Sequence, residues 1–241
     1  VRSFTIGERR ARLARRHFLT VGPPGEPVPA LIATMVGLHA TDPATPYLSL
    51  WARMPGFTVK DLDREFYQRR SVVKHLAMRR TLWLVRSADL PAIQAAASDR
   101  VADNERRRLV ADAQKAGVAP DGDAWLDRAS EAVLRYLADN GPASATEMRA
   151  VLPELTGTYD PARGKRYGGE TPLAPRVFTV LSGQGDIVRG PNDGAWTVSR
   201  PRWATTADWL GVTTDVMPPI RPARRSSAGG CMRSARRRWQ T

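Results

Sequence analysis

Residues 72–85 read VVKHLAMRRTLWLV, two largely apolar runs at 72–78 and 82–85 around the polar trio Arg79, Arg80 and Thr81. Short apolar runs separated by a polar break predict a β-hairpin. Upstream of it the period is helical. Residues 58–68 are amphipathic, with Leu62, Phe66 and Tyr67 as apolar members, and Tyr47, Leu48, Leu50 and Trp51 mark a short helix set off by Pro43 and Pro46. An earlier helix has Pro29 in its first turn and a stripe of Leu31, Ile32, Met35, Val36 and Leu38 that runs to about Ala40. A stretch at 6–18 carries Ile6, Leu13 and Phe18 among arginines. Helices followed by a hairpin describe a winged-helix unit over residues 1–87.

The same order returns downstream. A helical connector is expected over 88–120, its charged middle at 100–108 a solvated face. Trp125, Ala129, Val133, Leu134 and Leu137 then form an amphipathic helix closed by Asn140 and Gly141. Ser144 and Glu147 have the spacing of a capping box, so a helix opens near 145. After a Gly-, Arg- and Lys-rich loop at 156–171, residues 173–181 occupy the place of a recognition helix. Strands at 186–189 and 195–198, joined by Gly-Pro-Asn-Asp-Gly, supply a second hairpin. The expected fold is mainly α with small β-hairpins, an α+β chain of tandem winged-helix units, the second over 121–211. Residues 212–241 hold seven arginines against one aspartate with no period. They read as a disordered Arg-rich tail, either a basic arm tracking phosphates or the product of a shifted reading frame in a GC-rich gene.

The formal charge is +13 over 241 residues. A strongly basic protein attracts polyanions and gains affinity by releasing counterions from phosphates, so double-stranded DNA is the expected partner. Only four of the 37 basic residues are lysines, a bias toward arginine that also follows from a GC-rich gene. A single cysteine, Cys231, excludes an internal disulfide, and no Cys/His set has zinc spacing, so neither a metal nor a cofactor is expected. With no apolar run long enough for a membrane span, a cytoplasmic, nucleoid-associated monomer is expected.

The segment Gly37-Leu-His-Ala-Thr-Asp-Pro43 frees polar side chains where a helix ends. An imidazole such as His39 can orient or deprotonate water, Thr41 can hold that water, and Asp42 can stabilise a developing positive charge. The same residues also serve plain structure: Thr41 and Asp42 are cap and turn residues, and His39 fits a hydrogen-bonded core position. Candidate DNA contacts are Arg79 and Arg80 in the first hairpin, Arg163, Lys165 and Arg166 in the basic loop, Arg176 on the recognition helix and Arg189 in the second hairpin.

Residues 36–53, VGLHATDPATPYLSLWAR, resemble the segment that bears the catalytic motif in the AlkZ and YcaQ group of bacterial DNA glycosylases, usually close to GLQAQDP. Residues 75–89, HLAMRRTLWLVRSAD, are similar to that family's hairpin, commonly M-R-G-T-L-H. The resemblance spans about residues 5–211. It implies a monofunctional glycosylase that hydrolyses the N-glycosidic bond of alkylated or crosslinked purines without a cofactor. The family's two glutamines fall on His39 and Thr41, and its hairpin Gly and His fall on Arg80 and Trp83. Two other readings fit the residues: a winged-helix transcriptional regulator without catalysis, and an inactive truncated remnant.

Overall fold

A computed structural model describes residues 3–20, 25–162, 165–166 and 168–211 of the protein. The tail at 212–241, Arg163 in the basic loop and Cys231 lie outside the described residues. Among the described residues no helix is long and apolar enough to cross a membrane.

The first half is built from α1 (Ile6–Arg16), α2 (Val28–Thr34), β1 (Leu38–His39), α3 (Thr45–Trp51), α4 (Val59–Asp63) with a wider π-turn over Arg64–Gln68, and the hairpin β2 (Val72–Leu76) and β3 (Leu82–Arg86). All three strands form one antiparallel sheet in the order β1-β3-β2. A core of Leu31, Ile32, Leu50, Leu62, Phe66 and Leu84 lies between the helices and one face of this sheet. Helix α1 buries none of its residues, although Thr5 and Glu8 close a capping box at its start. Phe18, just beyond it, packs on the core, and Arg53 Nε donates to His17 O at 3.0 Å.

The expected run of α2 to Ala40 is corrected. The helix stops at Thr34, Val36 takes the left-handed region at φ 65°, and Gly37 passes so close to β3 that a Cβ there would lie 3.2 Å from Leu84 O. The chain then runs as strand: Ala40 N donates to Leu82 O at 2.8 Å. A third strand beside β3 satisfies backbone groups that a longer helix would leave unpaired on the sheet edge.

After α5 (Leu90–Ile93) and a π-turn at Gln94–Ser98 comes α6 (Asp99–Lys115), followed by α7 (Gly122–Asn140), α8 (Ala145–Val151), α9 (Ala174–Gln184), β6 (Ile187–Asn192), β7 (Pro201–Thr205) and α10 (Thr206–Leu210). Two short strands, β4 (Thr158–Tyr159) and β5 (Thr171–Pro172), close the base of the basic loop. The capping box at Ser144 and Glu147 is present, and Gly141 ends α7 with φ 73°. Ala143 forms an isolated bridge to Trp203 in β7, which pairs in turn with β6. The order helix, short pairing segment, two helices and hairpin therefore occurs twice, with the short segment beside the hairpin's second strand each time.

Two further expectations change. The second strand of the later hairpin is 201–205 instead of 195–198, because Asn192 folds residues 193–200 into a loop: its side-chain N–H groups donate to the carbonyls of Gly194 and Val198, and its Oδ1 accepts from Arg200 N. The middle of α6 is a solvated face only in part. Arg100, Arg107 and Arg108 are exposed, but Glu105 is buried and Arg106 is only 12% exposed while paired with Asp123 and Asp127; beyond it Leu109 and Ala113 join the core of the second half with Val133, Val177 and Phe178.

The two halves share a third core, in which Val73, Ala77 and Val85 from the first hairpin meet Leu90, Ile93, Val188, Ala204 and Trp209. Arg70 fastens the far side, donating to Trp209 O at 2.9 Å and lying over the Trp209 ring. His75 is fully buried at this junction, and neither ring nitrogen has a hydrogen-bond partner among the described residues. Burial pushes its pKa down to about 4, against weaker opposition from the neighbouring Gln94 dipole and the Asp99 charge. Since its folded-state pKa lies below the ordinary 6.5, the unfolded chain takes up the proton first, and stability falls as pH drops from about 6.5 to about 4. Urea melts at pH 7 and pH 4.5 should show a loss of about 2 kcal/mol in the native chain that shrinks markedly in His75→Leu. An equal loss in both proteins would contradict the buried neutral imidazole.

Candidate functional site

The turn after β1 brings three of the expected residues together. β1 is the edge of its sheet, Leu38 faces the core, and the exposed His39 sits opposite Trp83, whose ring meets the imidazole edge-on at 5.6 Å. Thr41 Oγ1 accepts a hydrogen bond from Leu82 N at 3.2 Å and lies 3.3 Å from His39 Nε2. With an acceptor site of the hydroxyl turned to Leu82, its proton is available to His39 Nε2, a geometry consistent with the Nδ1-protonated imidazole. Asp42 Oδ1 accepts from Ala44 N, Thr45 N and the Thr45 hydroxyl, so one carboxylate oxygen is committed to starting α3.

Trp83, which stands where the resembled hairpin has its His, ties this turn to the hairpin tip. Its indole N–H donates to Thr81 Oγ1 at 2.9 Å while its ring braces His39. Its place opposite His39 depends on the two-residue strand β1, too short to leave a periodic signal.

At the tip, Arg79 and Arg80 both take left-handed backbone, with φ 58° and 61°. Two consecutive positive φ values are what a tight hairpin turn requires, and they suit Gly or Asn better than Arg. The glycine of the resembled pattern at position 80 is thereby explained. In its place Arg80 Nε forms an ion pair of 2.9 Å with Glu105 of α6, a carboxylate buried at the junction and also approached by Arg108 at 3.4 Å. Arg80 thus links the two halves. Arg79 is exposed and makes no ion pair or hydrogen bond among the described residues.

The other expected DNA contacts divide. Lys165 and Arg166 are exposed on the basic loop. Arg176 is corrected: its guanidinium pairs with Asp112 at 2.6 Å, lies over Tyr159 and is 16% exposed, because it fastens α9 to α6 instead of presenting charge outward. Arg189 is half-buried over Trp203, its Nη1 donating to Ser199 Oγ at 3.1 Å. Arg189 faces Lys74 of β2 across a narrow cleft that is also lined by Ala40 and Pro43 of the His39 turn. A lysine inside the otherwise apolar run VVKHL was a signal available in the sequence.

Arg80→Gly should relax the backbone by about 1 kcal/mol but leave buried Glu105 short of its partner. Because Arg80 is 55% exposed the pair is partly screened, so the expected net loss is about 1–2 kcal/mol, while Arg79→Gly should gain about 1. Denaturant melts of both variants check this, and Arg80→Gly gaining as much as Arg79→Gly would refute the link to Glu105.

Comparison with known proteins bears on what this turn does. A family model described as DNA glycosylase AlkZ-like matches residues 32–239. No curated protein matches the chain. Among solved structures, the Streptomyces sahachiroi DNA glycosylase AlkZ matches with a TM-score of 0.56 at 20% identity, over 83% of this chain and 48% of that one. The chain therefore spans about half the length of that protein, and the likeness to it is one of fold.

Proposed function

Given that the chain belongs to the AlkZ-like DNA glycosylase family, we propose that it engages double-stranded DNA through two winged-helix units and hydrolyses the N-glycosidic bond of alkylated or crosslinked purines. The twice-occurring order of helices and hairpin, each hairpin's second strand carrying a short third pairing, supports the winged-helix reading. The observation that carries the function is the exposed His39–Thr41 pair, held on an edge strand beside a hairpin whose tip presents Arg79 to solvent.

In this reading the bond between C1′ and the purine nitrogen breaks with its electron pair leaving on the cationic base. Water adds to the oxocarbenium-like C1′ and passes its proton to Thr41 Oγ1 as the Thr41 hydroxyl proton moves to His39 Nε2. Thr41, anchored by Leu82 N, fixes the imidazole and keeps its second lone pair for that water. The second carboxylate oxygen of Asp42 supplies negative potential next to the sugar. Contacts from Arg79 and Arg166 position the backbone without reading sequence.

One observation favours a second reading, DNA binding without catalysis. The Thr41 hydroxyl and Asp42 Oδ1 already serve backbone N–H groups, so the turn is complete without any substrate.

Duplex DNA containing N7-methylguanine, incubated with the protein and then treated with alkali, separates the two. Abasic sites should form, and His39→Ala should slow their formation by a factor of about 100 or more. Absence of cleavage despite salt-sensitive binding would leave the second reading, and strong preference for one undamaged sequence would point to a regulator. Arg79→Ala should weaken binding to every duplex alike and reduce the dependence of log affinity on log salt by about one unit.

A further inference from the structure

Between β2 and β6 lies a narrow cleft of about 20 Å³, open at its mouth, where the two halves of the chain face each other. Its polar lining is unusual in charge. Lys74 enters from β2 and Arg189 from β6, and among the described residues no carboxylate lines the cleft. Lys74 makes no ion pair or hydrogen bond among the described residues, its ammonium standing only 5.5 Å from the Phe66 ring centre. Among the described residues Arg189 donates only to Ser199, leaving its buried Nε without an acceptor there. The nearest acids, Asp63 and Asp42, make no ion pair with either cation among the described residues: Asp63 accepts from the Tyr47 hydroxyl at 2.7 Å, and Asp42 Oδ1 starts α3. Burial first, and then the facing charge of Arg189, bring the Lys74 ammonium down to about 8 against weaker opposition from the Asp63 and Asp42 charges, and burial lowers Arg189 as well.

Two partly buried cations held opposite each other are costly unless an anion joins them. The fold nevertheless enforces the approach, since β6 carries a register shift between Arg189 and Asn192 at this point, and bulges of this kind re-aim side chains. Ser199, whose Oγ already accepts from Arg189, keeps its own proton to donate.

We infer that the cleft is a phosphate site, in which Lys74, Arg189 and the Ser199 hydroxyl grip one phosphodiester of a DNA backbone. This rests on the DNA-acting reading above and adds a fixed point to it. Ala40 and Pro43 line the cleft from the turn that carries His39 and Thr41, so a phosphate held there fixes the duplex relative to that turn. A phosphate at the cleft mouth also supplies the direct anionic partner that the two cations lack among the described residues.

The test compares the full chain with Lys74→Met, Arg189→Gln and Ser199→Ala, using a short undamaged duplex across a salt series and melting curves of the free proteins. Lys74→Met and Arg189→Gln should each weaken binding about tenfold and lower the salt slope by about one unit, with a smaller loss for Ser199→Ala. The Tm of free Lys74→Met should hold or rise, because an uncompensated buried charge has gone. Wild-type affinity and slope in these variants, while Arg79→Ala weakens binding, would overturn the phosphate site and leave the DNA reading standing. No binding of the duplex by the native chain would overturn both. A fall in Tm on Lys74→Met would mark a structural charge and overturn the inference. So would inorganic phosphate raising the Tm of the native chain while Lys74→Met binds DNA normally, since the site would then serve free phosphate.

Discussion

The β2–β3 hairpin is buried on both faces, and most of what matters in this molecule follows from that constraint. Val72 and Leu84 point into the first core, while Val73, Ala77 and Val85 point into the core shared by the two halves. A slip of one residue would exchange the two sets, so the register is strongly fixed. That register places Leu82 N against the Thr41 hydroxyl, Trp83 against His39 and Lys74 opposite Arg189. The turn and the cleft are both consequences of one strand pairing. The same register puts His75 where its ring nitrogens find no partner among the described residues, a cost the junction tolerates because the imidazole stays neutral.

Around the hairpin tip, backbone strain is exchanged for cross-chain charge. A glycine at position 80 would take the left-handed conformation without penalty. Arginine there pays with strain and gains an ion pair to Glu105, so the tip is anchored to α6 as well as to its own strands. Arg79, on the other side of the turn, gains nothing comparable inside the chain. Its strained backbone holds the guanidinium out in solvent, the placement a contact to an external anion requires. Trp83 completes the connection, since its indole binds the tip and its ring braces the imidazole.

How much of this could be read from residues alone varied with the physics of each element. The first hairpin, α7 with its Asn140–Gly141 stop, and the capping box at Ser144 and Glu147 were legible because each rests on local chemistry. The turn residues His39, Thr41 and Asp42 were legible as a group, and the structure keeps them together. β1 and the Ala143 bridge were not, because a one- or two-residue pairing has no period. The strand expected at 195–198 failed for a different reason: alternation there mimics a strand, while Asn192 decides the loop through contacts no pattern encodes. The charged run in α6 looked solvated throughout because the partners of Glu105 and Arg106, namely Arg80, Asp123 and Asp127, come from other elements. Arg176 was misplaced likewise, since Asp112 is distant in sequence.

The chain has three histidines, which allows its central claim to be tested at one atom. The imidazole NMR signals would be followed while the protein is titrated with a duplex carrying a cationic pyrrolidine in place of one deoxyribose, and with the matching unmodified duplex. A glycosylase centre at the β1 turn predicts that His39 shifts more strongly with the pyrrolidine duplex while the buried His75 stays put. Identical His39 signals with the two duplexes would contradict it and leave the turn a structural cap on a DNA-binding surface.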